Sequence, residues 1–289
     1  MKREKKNTHL LRTLVNKSFA IFPENYFLGT THYRVLSGRI PKEFDGFRIV
    51  QISDLHGRSF GRENQRLLAA VGREHPDLIA LTGDIVDRLV QDFGGAVRFV
   101  RTLCRTYHVC FVFGNHEQGL PGQCRIQFEN EMRSAGVKIL DNNSEEIRRG
   151  STDICISGLR VPLRYYRAGV GAKPRPVLTK EKMEHFVGVK PEEYTVLLAH
   201  NPLCFEAYAA WGADLTLCGH IHGGMIRLPG GRGLLSPERT FFPKYSAGAY
   251  FIGEHEMIVS RGLAAGPRIG NVPELVELTL CAGGTMKKP

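Results

Sequence analysis

From residue 45 onward, short apolar runs alternate with amphipathic stretches. FRIVQIS (47–53), DLIALTG (77–83) and YHVCFVFG (107–114) are apolar runs of strand length. Between and after them RENQRLLAAVGRE (62–74), residues 92–105 and residues 122–135 repeat apolar positions at helical spacing, the last closing near Gly136. Runs with little polar alternation suit strands covered on both faces, and helical crossovers join parallel neighbours. This half therefore predicts βαβ units on a largely parallel sheet.

The pattern then changes. SEEIRRGSTDICISGL predicts a hairpin turning near Gly150, and EYTVLLAH (193–200) and ADLTLCG (213–219) predict strands around a helix at 202–211. GGMIRLPGGRG is turn-rich, and AYFIG, EMIVS and ELVELTL read as short strands that end the chain. Such hairpins predict a second, mixed sheet packed on the first. The basic stretch RVPLRYYRAGVGAKPRP (160–176) is rich in Gly and Pro and reads as a loop, either a solvated face or a substrate contact.

No linker-like composition divides residues 45–289, so one domain is expected there, behind a basic arm at 1–44. In the arm, MKREKK precedes Leu11, Leu14, Val15, Ser18 and Phe22 at helical spacing, with Arg12 and Lys17 beside them. Two readings stand: an amphipathic helix on an anionic membrane surface, or a helix packed on the domain behind a solvated tail. No apolar segment of signal-peptide type follows the basic start, and no run approaches the roughly 18–20 apolar residues that span a bilayer. Neither a secretory signal nor a spanning helix is expected.

Composition narrows the field. Apolar residues make up 42% of 289, ample for a sizeable core and no sign of a disordered chain. Lys and Arg number 39 against 29 acidic residues, and the net charge of +10 favours an anionic partner: nucleic acid, an acidic membrane or a phosphorylated small molecule. The seven cysteines are scattered, odd in number and form no CxxC pair, so a reducing compartment is expected rather than a disulfide framework. The expected location is the cytoplasm, with peripheral contact at the inner face of the cell membrane left open by the arm.

The polar residues that stand out follow apolar runs. Asp54 and His56 follow the first, Asp84 and Asp87 the second, Asn115 and His116 the third, His200 the fourth, and His220 and His222 the fifth. In α/β sheets the carboxyl ends of the strands form the binding crevice, so these ends can converge. Asp, Asn and His offer oxygen and imidazole ligands suited to Mn, Fe, Zn, Co or Ni, and no thiol lies among them. Asp54 and His56 share a side of an extended segment. His220 and His222 do the same if extended, and reach different ions if the segment turns. Asp54, His56, Asp84, Asn115, His200, His220 and His222 are more ligands than one open site needs and suit two ions sharing a carboxylate. Taken singly each has a plainer reading: helix cap, turn former or packing residue. His9, His32, His75, His108, His185 and His255 read as structural, and Cys204 and Cys218 as core residues.

The blocks DLH (54–56), GD (83–84), GNHE (114–117), His200 and GHIH (219–222) resemble, in order, the calcineurin-like metallophosphoesterase superfamily, over about residues 47–280. RIVQISDLH, LTGDIVD, GHIHGGMIRLP and SRGL look like the branch containing membrane-anchored metallophosphoesterases and the lipid A pathway's UDP-2,3-diacylglucosamine pyrophosphatases. Ile221 and Met225 depart from that branch's GHTHGGQ. The resemblance implies an α/β fold of two mixed β-sheets packed as a sandwich and flanked by helices. It implies two divalent metal ions (Mn, Fe or Zn), one held by Asp54, His56 and His222, the other by Asn115, His200 and His220, with Asp84 bridging. It makes His116 the general acid at the leaving group.

Two such ions clamp the phosphoryl group and share a hydroxide that attacks in line. Asp87 is expected to orient a ligand. Arg58 and Arg227, near the motifs, are candidates for holding a phosphate. The expected reaction is hydrolysis of a phosphodiester or phosphoanhydride, on a lipid-linked nucleotide such as UDP-2,3-diacylglucosamine or on a soluble nucleotide. Nucleic acid is disfavoured, because no recognised binding module is present. The rivals are a peripheral membrane-binding protein and a scaffold with an inactive phosphoesterase fold; the complete ligand set argues against the latter. The pattern carries no signal for oligomeric state.

Overall fold

The computed structural model describes residues 22–89, 92–166 and 176–284. In chain order the elements are β1 (Gly29–Ser37), β2 (Arg48–Ile52), α1 (Gln65–Glu74), β3 (Leu78–Leu81), α2 (Gly94–Cys104), β4 (His108–Phe111), α3 (Asn115–Gln118), α4 (Gly122–Ser134) and β5 (Lys138–Ile139). They continue with β6 (Asn143–Arg149), β7 (Thr152–Leu159), α5 (Lys180–Val187), β8 (Tyr194–Ala199), α6 (Phe205–Trp211), β9 (Leu215–Cys218), β10 (Gly248–Ile252), β11 (His255–Val259) and β12 (Glu274–Ala282). The strands form two six-stranded sheets, ordered β1-β12-β2-β3-β4-β5 and β10-β11-β9-β8-β7-β6. Both are mixed. β2 through β5 run parallel, and β12 lies antiparallel to β2. In the second sheet β7, β8, β9 and β11 are parallel, with β6 and β10 antiparallel at the edges.

The apolar pattern explains the layering. β3 is LIAL, buried at every position, because Ile79 and Leu81 face the helices while Leu78 and Ala80 face the other sheet. α1 buries Leu67, Ala70 and Val71, and α2 buries Ala96, Val97, Phe99, Val100 and Leu103, both at helical spacing against the first sheet. α6 and Met183 of α5 cover the outer face of the second sheet. Phe44, Ile49, Val112, Ile156, Leu198, Leu217 and Leu278 fill the space between the sheets. Burying each such side chain contributes about 1.5–3 kcal/mol, so this middle layer is what holds the two sheets together. Gln51 is a polar link across it: its amide donates to Thr82 Oγ1 and to the Cys218 carbonyl, both at 2.9 Å, just below the ends of β3 and β9.

The two-sheet α/β architecture is the one expected. One strand lies where none was read: β1, on the arm side of the 44/45 boundary, pairs parallel with β12 along its whole length. Its sequence GTTHYRVLS buries only Val35, as suits an edge strand half open to solvent, and that is too weak an apolar signal to read. The amphipathic pattern at 11–22 lies outside the described residues except for Phe22, as do 167–175 of the basic loop.

Candidate functional site

Five turns, after β2, β3, β4, β8 and β9, meet where the two sheets face each other. Main-chain bonds lock them: Asp54 N–H to the Gly83 carbonyl at 3.0 Å, His56 N–H to the Asp84 carbonyl at 2.9 Å, and Gly219 N–H to the His200 carbonyl at 3.1 Å. The turns are sharp. Asp54, His56, Asp84, His220 and His222 all adopt positive φ, between 49° and 72°. Asp and His tolerate this left-handed region better than most residues, yet strain of this kind costs on the order of 1 kcal/mol or more each and concentrates at functional sites. Glycines let the turns approach closely. A Cβ on Gly114 would overlap Asp84 Oδ1, and one on Gly219 would overlap Ser53 Oγ.

Two triads result. Asp54, His56 and His222 each direct a donor atom into one group, and Asp84, His200 and His220 into another, with the atoms of each group within 4.8 Å of one another. In the first, His222 Nε2 lies 3.2 Å from Asp54 Oδ1 and 3.3 Å from His56 Nε2. In the second, His200 Nε2 lies 3.1 Å from Asp84 Oδ2. The same Asp84 Oδ2 is 3.8 Å from His56 Nε2, so this carboxylate stands between the triads. Asn115 opens α3 directly after the third turn. Its Oδ1 is buried and, among the described residues, has no hydrogen-bond partner.

The electrostatics favour cations. Burial opposes ionisation of Asp54 and Asp84, but the surrounding imidazoles prevail, holding both carboxyls below the usual range. Burial also opposes a charge on His200, yet Asp84 and Asp54 raise its pKa to about 10. Burial lowers His222 to about 4, against the pull of Asp54, leaving that imidazole neutral with a free lone pair. The donor set therefore fits divalent ions: ionised carboxylates, imidazoles and an orphaned amide oxygen.

The supporting residues are equally specific. His200 Nδ1 donates to the Thr82 carbonyl at 2.6 Å, which turns Nε2 toward Asp84. His220 Nε2 lies 2.9 Å from Glu238 Oε1. Fully buried Glu117 accepts the N–H groups of Asp84, Val86 and Gly114. Asp87 Oδ2 lies 3.6 Å from His56 Nδ1 and 3.5 Å from His116 Nδ1. His116 turns Nε2 to within 4.0 Å of Asp84 Oδ2. Burial lowers its pKa, but Asp84 and Asp87 outweigh that and raise it.

All seven candidate ligands, with His116 and Asp87, thus belong to this region. The two arginines do not share its geometry. Arg58 was expected at a phosphate; instead its guanidinium is buried and donates to the carbonyls of Leu263 at 2.7 Å, Ala264 at 3.4 Å and Asn25. Its guanidinium is thus engaged by the main chain of the fold. Arg227 donates to the Gly223 carbonyl at 3.2 Å. Glu238 and Glu117 were missed: Glu238 lies in a turn-rich stretch with no apolar pattern, whereas the GNHE block itself could have flagged Glu117.

Known proteins are similar to this chain. The uncharacterized metallophosphoesterase YkuE of Bacillus subtilis strain 168 is 25% identical over 249 residues, covering 85% of this chain and 82% of its own. The phosphodiesterase YaeI of Escherichia coli K12 is 26% identical over 239 residues, 81% of this chain and 82% of its own. The solved structure of TT1561 from Thermus thermophilus superposes with a TM-score of 0.50 over 75% of this chain and 90% of its own at 11% identity, a likeness of fold. The pattern of the calcineurin-like phosphoesterases matches residues 47–224, which takes in every candidate ligand. The chain therefore belongs to the calcineurin-like phosphoesterase family, hydrolases of phosphoesters that use divalent metals.

Proposed function

We propose that the chain is a dinuclear phosphodiesterase. Asp54, His56 and His222 hold one divalent ion (Mn, Fe or Zn), Asn115, His200 and His220 hold a second, and Asp84 is shared. The observation that carries this reading is Asp84 Oδ2, within 3.1 Å of His200 in one triad and 3.8 Å of His56 in the other. When bound, such ions polarise the phosphoryl oxygens and lower the pKa of coordinated water towards neutrality. The chain's own residues do the rest. Asp54 and Asp84 supply negative charge, while the Thr82 carbonyl and Glu238 fix the rings of His200 and His220. His116, with Nδ1 3.5 Å from Asp87 Oδ2, presents Nε2 to the site and gives its proton to the leaving oxygen. Such donation contributes about 10²–10⁴-fold.

The test compares His116→Asn with wild type on two diesters, one with a nitrophenolate leaving group and one with a simple alkoxide. Loss of the acid should slow the alkoxide substrate far more, because nitrophenolate departs without a proton. Equal losses on both would remove His116 from that role.

A second reading is hydrolysis of an amphiphilic phosphoanhydride, such as UDP-2,3-diacylglucosamine, at an anionic membrane face on the cytoplasmic side. It is supported by the net charge of +10 and by exposed Leu228 and Ile269 on segments joined to the GHIHGG turn. Among the described residues no helix is long and apolar enough to cross a membrane; the contact proposed is a peripheral one. Turnover of the lipid-linked nucleotide in mixed vesicles, set against a soluble nucleotide diester, separates the two readings.

A further inference from the structure

His108, Cys110 and Glu145 meet at the start of β4, away from the turns that carry the candidate centre. His108 and Cys110 are two apart on one strand, so their side chains share a face. Glu145 comes from β6, in the other sheet. His108 Nε2 lies 3.1 Å from Glu145 Oε2, and Cys110 Sγ lies 3.6 Å from each of them. Tetrahedral zinc, with Zn–N and Zn–O near 2.1 Å and Zn–S near 2.3 Å, sets its ligands about 3.6 Å apart for sulfur pairs and about 3.4 Å apart for N and O. The two sulfur distances already match. The third is shorter because imidazole and carboxylate hydrogen-bond directly.

The surroundings suit an ion. Lys138, paired in register with Cys110 on β5, holds the other carboxylate oxygen at 3.5 Å and leaves Oε2 to the cluster. His108 is 44% exposed and Glu145 19%, which gives an ion and its water a way in, while Cys110 is buried. A thiolate, an imidazole and one carboxylate make a softer donor set than that of the main centre. They select zinc or cobalt over magnesium and manganese.

We propose that His108, Cys110 and Glu145 form a second, separate metal site that takes one zinc ion, with water as fourth ligand. The thiol loses its proton to solvent on binding. Because β4 and β6 belong to different sheets, the ion staples the two sheets together at their edge.

The test uses the full-length protein, stripped of metal and titrated with Co²⁺. A thiolate–cobalt charge-transfer band reports this site alone, since the candidate centre has no thiol among its donors. The band should saturate, be displaced by Zn²⁺ but not by Mg²⁺ or Mn²⁺, and persist in Asp84→Asn. Cys110→Ser should abolish it. His108→Ala and Glu145→Gln alter partly exposed side chains and leave the fold intact; each should weaken cobalt binding by more than about tenfold. Zn²⁺ should also raise the Tm of Asp84→Asn by more than that of Asp84→Asn combined with His108→Ala. No band at saturating cobalt, or a band that survives His108→Ala at full affinity, overturns the proposal. Neither readout depends on turnover, so failure here is distinct from failure of the phosphodiesterase reading.

Discussion

Glu117→Gln probes how the centre is held together. The carboxylate is fully buried; Oε2 accepts the N–H of Asp84 and of Gly114 at 2.9 Å each, and Oε1 accepts that of Val86 at 3.1 Å. It thereby ties the turn carrying Asp84 to the turn carrying Asn115. Two effects compete on replacement. The amide has one oxygen, so at least one N–H loses its acceptor and faces another donor, at about 1–3 kcal/mol. Against this, burial and the Asp84 charge raise the Glu117 pKa, so removing the negative charge relieves some repulsion. Cations beside Asp84 cancel that repulsion, so under saturating Mn²⁺ the lost hydrogen bond decides. At about 2–4 °C per kcal/mol for a chain of this size, Tm should fall by roughly 2–12 °C. Turnover of a nitrophenyl diester should fall by about 10–100-fold, as for other groups that support metal ligands. Circular-dichroism melts and initial rates at fixed Mn²⁺ measure both. A variant with wild-type Tm and rate in Mn²⁺ would refute the idea that Glu117 positions the ligand turns.

Three further outcomes follow from the same geometry. In Gly219→Ala the new methyl group overlaps Ser53 Oγ and comes within 2.5 Å of Asp54 Oδ2, so Mn²⁺ affinity by equilibrium dialysis should drop; unchanged affinity contradicts the close approach. Glu238→Gln removes the charge beside His220 Nε2 and should weaken metal binding by about 10–100-fold while leaving the fold's melting curve in chelator unchanged. Glu256, 5% exposed, has its pKa raised by burial to about 7, so its folded form resists ionisation and wild type loses stability as pH rises from about 4.5 to about 7. Glu256→Gln should therefore gain on wild type across that window, by up to about 3 kcal/mol above pH 7, and urea melts at pH 5 and 8 showing the same gap would contradict this.

Much of the architecture was legible because the central strands are covered on both faces. LIAL and the VCF of the next strand are buried at every position, and the helices between them carry apolar stripes at helical spacing. Boundaries moved by a residue or a few: the helix read at 62–74 is α1 from Gln65, entered through a 3-10 turn at 62–64. β1 escaped because an edge strand needs only one apolar face, and here a thin one. The candidate ligands were legible as chemistry, since polar residues following apolar runs are conspicuous. Their conformation was not: positive φ at Asp54, Asp84 and His222 is imposed by tertiary bonds, with only the neighbouring glycines hinting at it. Arg58 shows the opposite failure, because a motif-adjacent cation looks like a phosphate ligand until main-chain carbonyls claim it.

The central claim is that one carboxylate joins two ions. Crystals grown in Mn²⁺ and measured at a wavelength where manganese scatters anomalously test it most directly. Two peaks about 3.5–4 Å apart, with Asp84 Oδ2 between them and Asn115 Oδ1 on the second, are the predicted result. A single peak, or a pair that Asp84 does not touch, would contradict it.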